Sequence, residues 1–205
     1  MTTNVSSELS LGTLNYYDAH ALEYCESTRH LDLHEVYDRF LKELASGAHI
    51  LDAGCGSGRD TKIFLNRSYR VTAIEASTEL ARLASAFTNH RSEILLFQNM
   101  EFHEEFDGIW ACASLLHVPK IEMKDVLERF VKALKPGGVF YISLKEGEGE
   151  RVAPDGRFFN DYSARSFREL FADFPQLHEL VFWKTEETRS QNHRQPWLNF
   201  ILKKE

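Results

Sequence analysis

Cysteine is scarce in this sequence, and the three present, Cys25, Cys55 and Cys112, stand far apart. Odd in number and without C-x-x-C or histidine spacing, they indicate neither a disulfide framework nor a zinc site; no metal is expected, and the compartment reads as reducing cytoplasm. A long apolar run is missing as well. The stretch from Gly108 to Val118 is too short and mixed to span a bilayer, and MTTNVSSELS has no basic segment followed by an apolar one, so a soluble chain with no membrane partner is expected. Basic excess is absent: 24 Lys and Arg stand against 31 Asp and Glu, a formal net charge of -7. A nucleic acid then needs a local basic patch acting against an unfavourable field. No Pro, Gly or Ser-rich stretch splits the chain, and 205 residues with 43% hydrophobic content suit one α/β domain, 1–205, with a sizeable core.

What is present centres on ILDAGCGSGRD, Ile50 to Asp60, an apolar strand that ends in Gly54, Gly56 and Gly58 and opens into a helical pattern. Glycines at a strand-to-helix turn let backbone approach a ligand closely. The dinucleotide fingerprint wants its third glycine where Arg59 stands, which disfavours NAD. Asp52, just ahead of the turn, argues the same way, because a carboxylate repels a pyrophosphate and attracts an ammonium or sulfonium. Glu75 lies 21 residues after Gly54, at the end of the next apolar run, where a carboxylate can accept both ribose hydroxyl hydrogens and reject a 2'-phosphate. S-adenosyl-L-methionine, a cationic adenosine ligand, meets all these terms.

The same order of segments continues through the chain: NYYDAHALEYCEST at 15–28, ILDAGCGSGRDTKIFL at 50–65, VTAIEAS at 71–77, FDGIWACASLLHVP at 106–119, LKPGGVFYISLKEGEGE at 134–150 and WLNFILKK at 197–204. In these segments it resembles the class I S-adenosylmethionine-dependent methyltransferases, more narrowly the small bacterial tellurite-resistance-type or general small-molecule enzymes. The resemblance implies a Rossmann-like, seven-stranded, mainly parallel sheet of order 3-2-1-4-5-7-6 with the last strand antiparallel.

Periodicity supplies the elements. Residues 14–28 and 33–44 read as two helices forming an N-terminal lid (1–46) ahead of the core (47–205). Strands at 48–53, 69–75, 93–98 and 107–113 alternate with helices at 58–67 and 78–88, as in a parallel α/β sheet. A further helix runs from Ile121 to Leu134 and stops at Lys135-Pro136-Gly137-Gly138, before the strand Val139 to Lys145. A helix at 163–171 capped by Ser163, strands at 179–186 and 197–203, and a loop at 146–162 complete the reading.

In such sheets ligands lie beyond the carboxyl ends of the strands. The expected cofactor contacts are Asp52, Ala53, Gly54, Cys55, Gly56, Arg59 and Asp60 around the turn, Glu75, Ala76 and Ser77 after the second strand, and Ala113, Ser114 and Leu115 after the fourth. Arg59 and Asp60 read equally as a capping ion pair. Asn99 and Met100 follow the third strand, either as an amide on the adenine amine and an apolar neighbour, or as a turn former and a core methionine. Tyr16, Tyr17, Tyr24 and Thr28 repeat at helical spacing; they are either core or cofactor contacts, the family resemblance implying that the tyrosine phenols close over the sulfonium. His117 is titratable near neutrality and can act as a base or as a packing residue, so His117 and Tyr17 are the catalytic candidates. Arg157 and Tyr162 are the candidate acceptor contacts, while Arg189, His193 and Arg194 form either a solvated hairpin or a positive cluster facing the acceptor.

The function expected is in-line methyl transfer to a small-molecule acceptor. The chain lacks an Asn-Pro-Pro-Tyr tetrad and a Pro-Cys nucleophile, which demotes base methylation further. RNA or protein methylation, or a regulator that binds the cofactor without catalysis, stay as the alternatives.

Overall fold

The computed structural model describes residues 3–186 and 195–205. Helices α1 (Thr3–Ala19), α2 (Ala21–Thr28) and α3 (His34–Leu41) come first. Then β1 (His49–Ala53), α4 (Arg59–Asn66), β2 (Arg70–Glu75), α5 (Thr78–Thr88), β3 (Ser92–Ile94), β4 (Phe106–Ala111), α6 (Lys120–Ala133) and β5 (Leu134–Lys145) alternate in the manner of a doubly wound sheet. A hairpin of β6 (Gly149–Val152) and β7 (Phe158–Asp161) precedes α7 (Ala164–Phe171), β8 (Leu177–Thr185) and β9 (Trp197–Lys204). The sheet order is β3-β2-β1-β4-β5-β9-β8, which counted along its own strands is the expected 3-2-1-4-5-7-6. Strand β9 runs antiparallel to both of its neighbours, and the remaining pairs of the sheet are parallel.

Burial on both faces follows from the strands' two-residue alternation. Along β5, Val139 and Tyr141 join Phe40, Phe64 and Trp110 beneath α3 and α4. Phe140, Ile142 and Leu144 point the other way, to Phe130, Phe167 and Phe200 beneath α6 and α7. Trp110 at the centre stacks on Tyr141 with ring centroids 4.1 Å apart. Ser163 caps α7 through a capping box with Ser166.

Four boundaries differ from the sequence reading. The first lid helix is two helices, because His20 takes φ −114° and ψ 19°, outside the helical well, between α1 and α2. The third strand ends at Ile94: its partner β2 ends at Glu75, opposite Ile94, and once the Leu95 amide has bonded the Glu75 carbonyl nothing of β2 remains to pair with Leu96 to Gln98. Residues 146–162 contain the β6–β7 hairpin, which pairs Gly149 with Asp161 and Val152 with Phe158. Lys135 to Gly138 do not separate α6 from β5, since α6 stops at Ala133 and β5 begins at Leu134; they form an irregularity within β5, between its pairs Leu134–Phe106 and Val139–Gly108.

Candidate functional site

The turn after β1 is shaped by positive φ at Gly54 (77°) and Gly56 (52°), which a side chain tolerates poorly. Space forbids one too: a Cβ on Gly54 would lie 2.6 Å from the Ser114 Cβ, and one on Gly56 would lie 3.2 Å from the Tyr24 ring. The Gly54 and Cys55 amides both donate to the Ile74 carbonyl, tying the turn to β2. At the end of β2 the buried Glu75 carboxylate accepts from the Gly56 amide at 2.8 Å and from the Ser77 amide at 2.9 Å. Burial raises its pKa against the pull of these backbone bonds. Each carboxylate oxygen retains a second lone pair, so the group can still take ribose hydroxyls.

A cavity opens over this turn. Among the expected residues, Tyr17, Tyr24, Gly54, Gly56, Glu75, Ala76, Ala113, Ser114 and His117 line it. The sequence reading missed Thr13, Leu14, Leu80, Leu95, Leu96, Phe97, Gln98 and Val118, which also line it. Leu95 to Gln98 reach the wall because β3 ends early; had that segment stayed in a strand, Asn99 and Met100 would have been the first residues beyond it. Asn99 is exposed, and Met100 is buried among core residues instead of reaching the cavity. Ser114 Oγ is buried with no hydrogen-bond partner among the described residues, an orphan that a ligand group would satisfy. An apolar slot, an acidic ribose acceptor, a glycine cradle and this orphan hydroxyl together fit an adenosine cofactor.

Several expected contacts lie elsewhere. Ala53 and Leu115 are fully buried in the core, and Cys55 Sγ turns away to Ser92 Oγ at 3.0 Å. Ser77 is spent as the N-cap of α5, accepting from the Leu80 amide. Tyr162 is buried, takes a bond from Asn160 Nδ2 at 3.0 Å and packs on Phe167. Tyr16 stacks on His20 outside the cavity. Arg157 lines neither cavity described here. Arg189, His193 and Arg194 lie outside the described residues.

Asp52 and Asp60 belong to a buried network below the turn. Asp60 accepts from Tyr37 Oη at 2.5 Å, Arg59 Nε at 2.6 Å and Trp110 Nε1 at 2.8 Å. Burial pushes its pKa up, but the Arg59 charge and these bonds outweigh that and hold it low. Asp52 accepts from Thr61 Oγ1 at 2.5 Å, and its pKa is pushed up to about 8, chiefly by burial and then by the Asp60 charge. The ion-pair reading of Arg59 and Asp60 therefore describes their contacts. Arg59 also lines a second cavity with Thr28, Cys112, Tyr141 and Asn199, and this cavity shares Tyr24 and Ala113 with the first.

The catalytic candidates meet. His117 Nδ1 lies 2.6 Å from the Phe158 carbonyl and so carries the proton; Nε2, 2.9 Å from Tyr17 Oη, accepts the phenolic hydrogen. Burial lowers the His117 pKa to about 4, with the Phe158 bond opposing and the Arg157 charge assisting, so the ring is neutral at pH 7. The Phe158 amide in turn donates to Thr13 Oγ1 at 2.9 Å. Asp18 in α1 accepts from Ser77 Oγ at 2.6 Å and from the Glu79 amide at 3.1 Å, and Thr28 Oγ1 donates to Ser57 Oγ at 3.0 Å. The lid helices are thus tied to the core at three points.

The chain is similar to known methyltransferases. Residues 50–138 match the family model of the methyltransferase domain. The chain is 33% identical over 138 residues to the tRNA (carboxymethyluridine(34)-5-O)-methyltransferase of Arabidopsis thaliana, an alignment covering 65% of this chain but only 32% of that protein. It is 28% identical over 175 residues to an uncharacterized methyltransferase of Geobacillus kaustophilus, covering 80% of each. The fold superposes on the 1,6-didemethyltoxoflavin-N1-methyltransferase of Burkholderia thailandensis, solved with 1,6-didemethyltoxoflavin and S-adenosylhomocysteine, with a TM-score of 0.78 at 21% identity, covering 100% of this chain and 90% of that one. Sheet order, glycine turn and matched domain together support a class I methyltransferase. Its cofactor is S-adenosylmethionine.

Proposed function

We propose that this methyltransferase acts on a small-molecule acceptor, with residues 1–205 working as one domain whose lid, 1–46, closes over the core, 47–205. The observation that carries the reading is that the lid forms part of the cavity wall: Thr13, Leu14, Tyr17 and Tyr24 of α1 and α2 line it, and Thr13, Asp18 and Thr28 tie those helices to the core, so an acceptor must fit beside them where a polymer would need an open groove. When bound, the cofactor supplies a methyl group on a sulfonium, already electrophilic, so the protein needs only to position the partners and exclude water. Such positioning is worth roughly 7 to 11 kcal/mol. Glu75 holds the ribose, Ala76, Leu80 and Leu95 to Gln98 enclose the base, and Gly54 with Ser114 takes the chain beyond it. Tyr24, Thr28 and Arg59 lie toward the methionyl end, at the junction with the second cavity.

On the acceptor side stand Tyr17 and His117. With Nδ1–H fixed by the Phe158 carbonyl and a pKa of about 4, His117 orients the Tyr17 phenol and is a poor proton store at pH 7. No described helix is long and apolar enough to cross a membrane. A second reading, RNA as acceptor, rests on the tRNA-methylating relative. Incubation with methyl-labelled S-adenosylmethionine and a cell extract separates the two: label in the ultrafiltrate supports a small molecule, and label confined to RNA overturns it.

A further inference from the structure

From the basic side chains gathered beside His117, we infer that the acceptor is an anion, a small molecule bearing a carboxylate or another oxyanion, and that Arg157 and Lys145 hold its charged end. The inference rests on the methyltransferase reading of the first cavity and adds the substrate class. Three cationic side chains converge on one ring, that of Phe159. The Arg151 guanidinium lies 4.4 Å from its centroid, Arg157 5.3 Å and the Lys145 ammonium 5.7 Å. Phe159 itself packs 4.9 Å from the His117 ring. Arg157 bonds the Tyr17 phenol and Phe159 packs on the His117 ring, so the cations lie behind the Tyr17–His117 pair, next to the residues that line the cavity and not in its wall.

The positions are fixed in advance. Hairpin pairing sets Arg151 opposite Phe159, and Asp161 grips Arg151 through Nε at 2.8 Å. Asp155 holds Arg157 through Nε at 3.0 Å and Nη2 at 2.6 Å, and Arg157 also bonds the Tyr17 phenol. A guanidinium has five N–H donors, so Arg157 keeps donors beyond these for a ligand oxygen. Lys145 is steered by two rings, Phe159 and, at 5.3 Å, Trp197. With its Nε–Nη2 edge held by Asp155, Arg157 turns its remaining N–H groups to an oxyanion as charge-assisted donors. The other opening is unsuited to an anion, because Asp32, Glu35 and Glu186 line the second cavity. An anionic acceptor therefore approaches from the hairpin side, past Arg157, and brings its reacting atom to Tyr17.

The test uses methyl-labelled S-adenosylmethionine and a cell extract freed of macromolecules by ultrafiltration, then divided on a strong anion exchanger into retained and unretained fractions. Acceptor activity is expected in the retained fraction. With that fraction as acceptor, Arg157→Gln and Lys145→Met should each raise the half-saturating amount about tenfold or more, as loss of a charge-assisted bond implies, while Arg157→Lys restores much of it. S-adenosylhomocysteine affinity, measured on each variant, should be unchanged and reports that the fold is intact. Acceptor activity in the unretained fraction, or half-saturation unmoved in both folded variants, overturns the inference while leaving the methyltransferase reading standing. Failure of the wild type to bind S-adenosylhomocysteine removes that reading instead.

Discussion

Replacing Glu75 by alanine probes the ribose site, and the structure sets two separate effects. The first is on affinity: a buried carboxylate that takes two hydroxyl hydrogens makes charge-assisted bonds whose loss costs on the order of 1.5 to 3 kcal/mol. Cofactor affinity should then fall about ten- to a hundredfold, each 1.4 kcal/mol being a factor of ten. The second is on stability, because Glu75 also accepts from the Gly56 and Ser77 amides, which the variant leaves without that acceptor. Each buried amide so orphaned costs about 1 to 3 kcal/mol, partly offset because the wild-type carboxylate is itself desolvated. Glu75→Gln retains one oxygen but turns an NH2 toward an amide, so it should fall between the two proteins in both respects. Calorimetry with S-adenosylhomocysteine reads the first effect and thermal melting of the ligand-free protein the second. A folded Glu75→Ala protein with wild-type affinity would refute the placement of the ribose.

Gly54→Ala should lose cofactor binding and lower the melting temperature: a left-handed Ala costs about 1 to 2 kcal/mol, and its Cβ, 2.6 Å from the Ser114 Cβ, adds overpacking of about 1 to 3 kcal/mol. Retained affinity in that variant would show that the turn has room to spare. Stability against pH should carry two opposed contributions. Asp52, raised from 3.8 to about 8, holds its proton in the folded state, so its contribution is lost as pH rises from about 4 through 8, and Asp52→Asn should flatten that decline. His117, lowered from 6.5 to about 4, must give up its neutral folded form in acid, so its contribution is lost as pH falls from 6.5 to 4, and His117→Gln should soften the acid limb seen in urea titrations. Asp18→Ala, which removes the bonds to Ser77 and Glu79, should speed proteolysis within α1 and weaken the protection that S-adenosylhomocysteine gives; equal cleavage rates would show the lid to be held by packing alone.

Legibility in the sequence followed how local each determinant is. The βα alternation, the glycine turn and Glu75 depend on residues close along the chain, so strand order and cradle were readable from spacing and from the family resemblance. The wall at Leu95 to Gln98 was not, because the end of β3 is decided by where β2 stops across the sheet and not by any signal within LLFQ. The lid break at His20 and the β6–β7 hairpin were similarly hidden: the first depends on how α1 and α2 dock, and the second pairs an exposed polar strand, β6, with a short buried one whose two phenylalanines are adjacent and not alternating. Asp52 and Asp60 look like ligand-facing acids in the sequence. Only the arrival of Tyr37 and Trp110 from distant segments, and the rotation of α4 that brings Thr61 onto Asp52, show that their oxygens are engaged below the turn.

The central claim is that the cavity above Gly54, Glu75 and Ser114 binds the cofactor and that Tyr17, locked to His117, faces the methyl acceptor. It is tested most directly by a crystal structure with S-adenosylhomocysteine bound. The account predicts ribose oxygens on Glu75, the base against Leu95 to Gln98, and the sulfur on the side of the cavity nearest Tyr17. A ligand whose ribose lies away from Glu75, or whose sulfur is walled off from Tyr17 and His117, would contradict it.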